Sequence, residues 1–151
     1  MRSKNKWGWS SYSSVTSIKA ASEPDQPNAP TTAISGTGVH IQWTAPNDLG
    51  ESITAYLIEI KDSGGIYRTE TSNCNGAVNP VLSALACTIP MTTLSSAPFS
   101  LTLGTLIEAR VTAINAVGTG LASDPNTSGA LIRTVPSQMS APIKGAATTE
   151  S

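Results

Sequence analysis

The chain has 151 residues, a formal net charge of −1 and 13% charged residues, about half the usual charged share. That near-neutral balance removes the electrostatic case for nucleic acid or an anionic membrane as partner. No apolar run approaches the roughly 20 residues of a membrane-spanning helix, so no membrane insertion by this segment is expected.

Serine and threonine together make up 39 residues. Such a composition suits a surface covered by glycans or by neighbouring copies, with a neutral Thr-rich β protein as the plainer alternative. Met1 to Lys6 carries positive charge with no apolar stretch behind it, which is not the layout of a secretory signal.

Residues 1–20 open with Trp7-Gly8-Trp9-Ser10 and continue through Val15 to Ala20. Asn5 and Gly8 have the N-x-x-G spacing of Asn115 and Gly118, at an offset of 110 residues. Pro24 and Pro30 match Pro136 and Pro142 at an offset of 112. A period of this kind is the signature of an array. Residues 1–20 then read as the last turn and strand of a preceding repeat, and 21–30 as a Pro-rich linker. Residues 31–134 read as one complete domain, 135–142 as a second Pro-containing linker, and 143–151 as the first strand of a following repeat. Chance similarity between two ordinary Pro-rich linkers is the alternative.

Within 31–134 the pattern is that of strands. Thr31 to Gly38 leads into Val39-His40-Ile41-Gln42-Trp43, where Val39, Ile41 and Trp43 share one face. Ala45 to Gly50 is a loop. Tyr56, Ile58 and Ile60 form the inward face of the next strand, and Leu57 points outward. Asp62-Ser63-Gly64-Gly65 has hairpin-turn composition, and Ile66 to Glu70 is the returning strand. Ile107, Ala109, Val111 and Ala113 alternate with Glu108, Arg110, Thr112 and Ile114, so Ile114 also points outward. Asn115 and Gly118 break that strand. The last strand is expected within Ala130 to Thr134, ended by Pro136. No segment has a helical period.

The run W-x-A-P-N-D-x-G-x-x-I-T-x-Y-x-I from Trp43 to Ile58, and A-R-V-x-A-x-N-x-x-G from Ala109 to Gly118, resemble the fibronectin type III family over about residues 27–134. The resemblance implies an all-β, immunoglobulin-like sandwich of about seven strands, here with flanking strands of adjacent repeats. It also implies that Trp43 and Tyr56 pack together between the sheets. Ile107 stands where many members carry a corner tyrosine, so the corner is expected to be fixed another way, through Leu101 and Leu103. Residues 72–100 are longer than in an ordinary member. The arrangement C-x₁₂-C-T-I-P…L-x-x-A-P-F-x-L-x-x-G is similar to repeats in large tandem-repeat surface or secreted proteins of ciliated protists.

Cys74 and Cys87 are the only cysteines. In a module of extracellular type an even count favours a disulfide between them, two separate thiols in a reducing compartment being the alternative. His40, the single histidine, points outward and has no ligand set around it, so neither a metal nor a cofactor is expected. One histidine and scattered acids supply no triad and no carboxylate pair, so the chain is not expected to be an enzyme. Asn126-Thr127-Ser128 is an N-x-[ST] sequon, expected in a turn with Asn126 exposed for glycosylation. Trp7, Trp9 and Tyr12, on a segment with no domain of its own, together with outward Leu57 and Ile114, are the expected inter-repeat interface.

Three functions of different class fit. One is a structural repeat of an extracellular or cell-surface array or filament, its partners being neighbouring copies of the same repeat, head to tail, with covalent glycans. Another is a partner-binding module of a receptor or adhesin. The third is a spacer in a secreted polysaccharide-degrading enzyme.

Overall fold

Alternation of branched apolar with polar residues builds two antiparallel sheets packed face to face. A computed structural model describes residues 1–14 and 19–133. Most of the strand expected at 15–20, the linker at 135–142 and the strand at 143–151 lie outside the described residues.

One sheet has three strands, β3 (Thr31–Ser35), β4 (Gly38–Gln42) and β7 (Ala86–Pro90), in the order β3-β4-β7. The other has four, β5 (Ile53–Lys61), β6 (Tyr67–Thr69), β8 (Ala109–Asn115) and β9 (Thr119–Ala122), in the order β6-β5-β8-β9. Seven strands thus make the sandwich. A separate two-stranded hairpin, β1 (Lys4–Asn5) and β2 (Gly8–Trp9), precedes it. Two single-turn helices, α1 (Val81–Ala84) and α2 (Met91–Ser95), lie in the long connection and after β7. One turn is too short to give a helical period.

The inward set is the one the alternation specifies. Val39 and Ile41 of β4, Ile58 and Ile60 of β5, and Ala109, Val111 and Ala113 of β8 are buried between the sheets. Trp43 and Tyr56 meet there, ring centroids 5.5 Å apart and planes inclined at 60°, a tilted contact that aromatic quadrupoles favour. Burial raises the Tyr56 phenol above its ordinary pKa. His40 lies on the outer face of β4, in contact with Thr88 Oγ1 at 3.2 Å.

Three expectations are corrected. First, among the described residues the last regular strand is β9, and in place of the strand expected at 130–134 Leu131 makes an isolated bridge to Leu106. Asn115 Oδ1 accepts the N–H groups of Val117 (2.9 Å) and Gly118 (3.1 Å), so the chain reverses at once. The sequence Thr-Gly-Leu-Ala hides the strand because Gly120 contributes no side chain to the pattern. Glycine is required there by a close approach: an added Cβ would collide with the Pro24 carbonyl oxygen.

Second, 21–30 is not a free linker. Ser22 N–H donates to the Leu49 carbonyl (3.2 Å) and Asp25 N–H to the Asn47 carbonyl (3.0 Å). Gln26 Nε2 donates to the Ala122 carbonyl at 2.7 Å, and Pro24, Pro27 and Pro30 are buried. Third, Leu103 is exposed and does not fix the corner, although Leu101 is buried.

Candidate functional site

Three features concentrate the chemistry of the chain: a stapled insert, a buried amide and a basic aromatic hairpin.

The insert runs between β6 and β7. Cys74 and Cys87 are disulfide-bonded, their Cα atoms 5.3 Å apart, within the usual range for a bridge. The closed loop prolongs the β4–β7 ladder at one end and covers an open edge of β5 at the other. The Gly76 carbonyl accepts the Tyr56 N–H, and the Leu85 carbonyl accepts the Trp43 N–H, each at 3.0 Å. β6 pairs with β5 over Glu59–Lys61, and Glu70 N–H adds a bond to the Ile58 carbonyl, so without the insert the β5 edge at Tyr56 would offer unpaired backbone groups to another chain. Gly76 is the residue that fits, because a Cβ there would strike the Tyr56 carbonyl oxygen. Replacing both cysteines with alanine is expected to cost about 3 kcal/mol, read as a lower urea midpoint. Intact mass after alkylation should show no thiol modified until reductant is added.

Asn126 is 6% exposed, not exposed as its sequon led one to expect. Its Oδ1 accepts the Ala109 N–H at 2.7 Å. Its Nδ2 donates to the Ile107 and Ser128 carbonyls, both at 3.0 Å, and approaches Thr32 Oγ1 at 3.3 Å. One amide thereby joins the start of β8, the segment after β9 and the first strand β3. This is what holds the corner that Ile107 cannot. The nitrogen a glycan would need is turned inward and occupied, so Asn126 is a structural residue in the folded domain. The sequon concealed this, because the same amide can serve as a glycan acceptor or as a buried clamp.

The outer face of the four-stranded sheet carries Glu59, Lys61, Tyr67, Glu108 and Arg110. Arg110 holds Glu59 with two contacts, 2.8 and 3.2 Å, and lies 4.1 Å from the Tyr67 ring centroid. Lys61 meets Glu108 at 3.2 Å. These groups satisfy one another. At the β5–β6 turn Asp62 accepts from the N–H groups of Gly64 and Ile66, both at 2.9 Å, and pairs with Arg68. The Ile66 N–H and then Arg68 hold its carboxyl below the ordinary carboxylate range. A lowered folded-state pKa stabilises at pH above the unfolded value and is lost as pH falls through the folded one. Asp62→Asn should therefore flatten the acid limb of a stability–pH profile relative to the natural chain.

Leu57 and Ile114 are half-buried on the flank of this same sheet, as the alternation required. Leu57 lies in the middle of β5, whereas Ile114 is one residue from the end of β8. Trp7, Trp9 and Tyr12 are exposed on the N-terminal hairpin, Trp7 to 84%. Arg2 lies over the rings of both Trp9 (4.4 Å) and Tyr12 (4.8 Å), and Lys6 over Trp7 (5.0 Å).

The hairpin is a copy of another part of the chain. Trp7 N–H donates to Asn5 Oδ1 at 2.8 Å, as Val117 N–H donates to Asn115 Oδ1. Lys4 pairs with Trp9, as Ile114 pairs with Thr119. Ser13 N–H reaches the Met1 carbonyl and Ser123 N–H the Val111 carbonyl, both at 2.8 Å. Ser13 Oγ accepts from the Met1 nitrogen at 2.9 Å, and Ser123 Oγ from the Val111 nitrogen at 3.0 Å. Every pair is offset by 110 residues, and the irregularity that the β8–β9 register shows at Thr112 and Ala122 is bracketed by the same bonds in both.

Among the described residues no three His, Cys, Asp or Glu side chains are placed to hold a metal ion. No described helix is long and apolar enough to cross a membrane.

The family model for the fibronectin type III domain matches residues 22–128. The chain matches none of the curated proteins it was compared with. Among solved structures, the sixth fibronectin type III domain of human fibronectin type III domain containing protein 3 is similar, at TM-score 0.54 and 23% identity, over 79% of this chain and 96% of that one. A structure of titin kinase and its flanking domains is similar at TM-score 0.51 and 21% identity, over 76% of this chain and 18% of that one. The twitchin kinase region from C. elegans gives TM-score 0.49 and 24% identity, over 70% of this chain and 16% of that one. This chain therefore spans less than a fifth of either kinase-containing chain. At such identities the likeness is one of fold.

Proposed function

The chain belongs to the fibronectin type III family, and from that premise we propose that it is a structural repeat of an extracellular tandem array. Its work is mechanical: spacing, covering and holding together. The observation that carries this is the N-terminal hairpin, which repeats three hydrogen bonds and one residue pairing of the β8–β9 hairpin at one fixed offset. A lone domain has no use for a second copy of its own last hairpin; a chain of such domains carries one per repeat. The bridged cysteines favour an oxidising compartment, and the C-x₁₂-C-T-I-P arrangement resembles repeats of large surface or secreted proteins of ciliated protists.

Neighbouring copies, head to tail, are the partners this assigns. An axial step of about 35–45 Å is expected, the nine-residue β5 spanning about 30 Å at ~3.3 Å per residue and the loops at the two ends supplying the rest. Electron microscopy of material from the natural source, with the mass of the native polypeptide, tests it. Rods with that step and a polypeptide of several repeats are expected. A native polypeptide of one repeat, or free thiols at Cys74 and Cys87 in native material, would sink the proposal.

A partner-binding module is the second function with an observation behind it. Arg2, Lys4, Lys6, Trp7, Trp9 and Tyr12 form an exposed face of cations over aromatic rings. Such amphipathic, low-entropy side chains are enriched at recognition surfaces.

A further inference from the structure

We infer that the N-terminal hairpin binds an acidic polysaccharide, with Arg2, Lys4 and Lys6 taking its anionic groups and Trp7, Trp9 and Tyr12 holding those cations in place. This rests on the partner-binding reading given above and names the partner of that same face; the array does not depend on it.

A net charge near zero conceals a separation of charge. Residues 1–22 carry four basic side chains, Arg2, Lys4, Lys6 and Lys19, and no acidic one. Residues 23–133 carry nine acidic side chains against four basic. In the sandwich Lys61, Arg68 and Arg110 are each paired with a carboxylate, and Lys19 pairs with Glu51. Among the described residues no ion pair involves Arg2, Lys4 or Lys6. Their charge is available to a partner.

The backbone does not require these side chains. At the offset of 110 residues Arg2, Lys4, Trp9 and Tyr12 are the counterparts of Thr112, Ile114, Thr119 and Ala122. The β8–β9 hairpin makes the same turn and the same flanking bonds with those smaller, uncharged residues. What differs between the two hairpins is the face. Trp9 and Tyr12 are 55% and 71% exposed, and rings left in water gain little from burial. Here they support cations instead.

The arrangement suits a linear polyanion. Arg2 and Lys4 are two residues apart on one side of the hairpin, so their side chains leave the backbone about 7 Å apart on one face. Arg2 lies between the rings of Trp9 and Tyr12, 4.4 and 4.8 Å from their centroids. Lys4 lies 5.4 Å from the Trp9 centroid and Lys6 5.0 Å from that of Trp7. A side chain already held in place loses less freedom on binding. A guanidinium braced by two rings also presents its fork to the oxygens of an anion. Beside these groups a cleft of about 230 Å³ is lined by residues 3–5 and 7–10, with no acid in its wall.

Two other polyanions fit less well. An anionic bilayer is broad enough to meet the acidic sandwich as well, and repulsion acts over a Debye length of about 8 Å. Nucleic acid is set aside by the disulfide, which belongs to an oxidising compartment outside the cytosol. A thin polymer with anions at intervals along its sugar rings can lie on the hairpin alone.

The test is calorimetric titration of the 151-residue chain with heparin and with polygalacturonate, dextran being the uncharged control. Both acidic polymers should bind, more weakly as salt is added, and dextran should not. Arg2→Ala should weaken binding by about tenfold. Lys4→Gln and Lys6→Gln should weaken it by about threefold each. Trp9→Ala keeps every charge but removes a ring under Arg2, and should also weaken it by about threefold. Lys61→Gln, on the sandwich, should leave it unchanged. The hairpin substitutions should not move the melting temperature. No binding of either acidic polymer, or binding indifferent to the hairpin substitutions, overturns the inference. So does tighter binding of single-stranded DNA or of anionic lipid vesicles, which would give the hairpin a different partner. The partner-binding reading fails separately, if Trp7 and Trp9 prove shielded from acrylamide quenching in native material.

Discussion

Trp43→Ala is expected to lower the stability of the chain by about 3–5 kcal/mol, the largest single effect among its aromatic residues. Trp43 is buried against Tyr56 at the centre of the sandwich. Truncation removes the transfer free energy of the ring and leaves a cavity that two hydrogen-bonded sheets close only in part. The indole Nε1 is buried with no hydrogen-bond partner, so Trp43→Phe deletes a donor that gains nothing where it is. Phenylalanine should therefore recover most of the loss. Trp9, 55% exposed on the hairpin, is the internal control, with Trp9→Ala expected within about 0.5 kcal/mol of the natural chain. Urea unfolding of the three variants decides. Equal losses for Trp43→Ala and Trp9→Ala would mean that hairpin and sandwich unfold as one unit.

Asn126→Ala should cost about 2–4 kcal/mol, since it strands the Ala109 N–H and the Ile107 carbonyl in the interior. Each buried group left without its partner loses about 1–3 kcal/mol. A sharper version is Asn126→Asp. The new carboxylate would face two carbonyl oxygens, where an ionised group is disfavoured and a protonated one can still donate. Its folded-state pKa would be raised. Whatever stability it supplies is present at low pH and lost as pH rises through that value. The gap between Asn126→Asp and the natural chain should then narrow in acid. A gap that is constant with pH would show that the side chain at 126 turns out to solvent.

Much of the fold was legible because a strand buried on one face writes itself with period 2. Val39, Ile41, Tyr56, Ile58, Val111 and Ala113 were assigned inward by that rule, and all are buried. The disulfide was legible from a count of two cysteines. β9 was not, because Thr119-Gly120-Leu121-Ala122 has no alternation to read and Leu121 points to solvent. The docked segment at 21–30 was misleading for a related reason. Proline-rich composition signals an absence of strand hydrogen bonds, and it is silent on whether the rings pack, as those of Pro24, Pro27 and Pro30 do. The burial of Asn126 was not legible because its partners, Thr32, Ile107 and Ala109, are distant in sequence. The hairpin repeat was visible as Asn5 and Gly8, but its register, with the bonds of Ser13 and Ser123, needed the third dimension.

The staple between Cys74 and Cys87 also determines how far a repeat can lengthen. Under tension applied at its two ends, an unravelling repeat extends by its contour length less whatever a cross-link withholds. The thirteen steps from Cys74 to Cys87 would reach about 45 Å fully drawn out, and the bridge holds their ends 5.3 Å apart. Each oxidised repeat thus keeps about 40 Å in reserve. In the proposed array, such a unit would extend less when oxidised than when reduced, by about 40 Å for each bridge left intact.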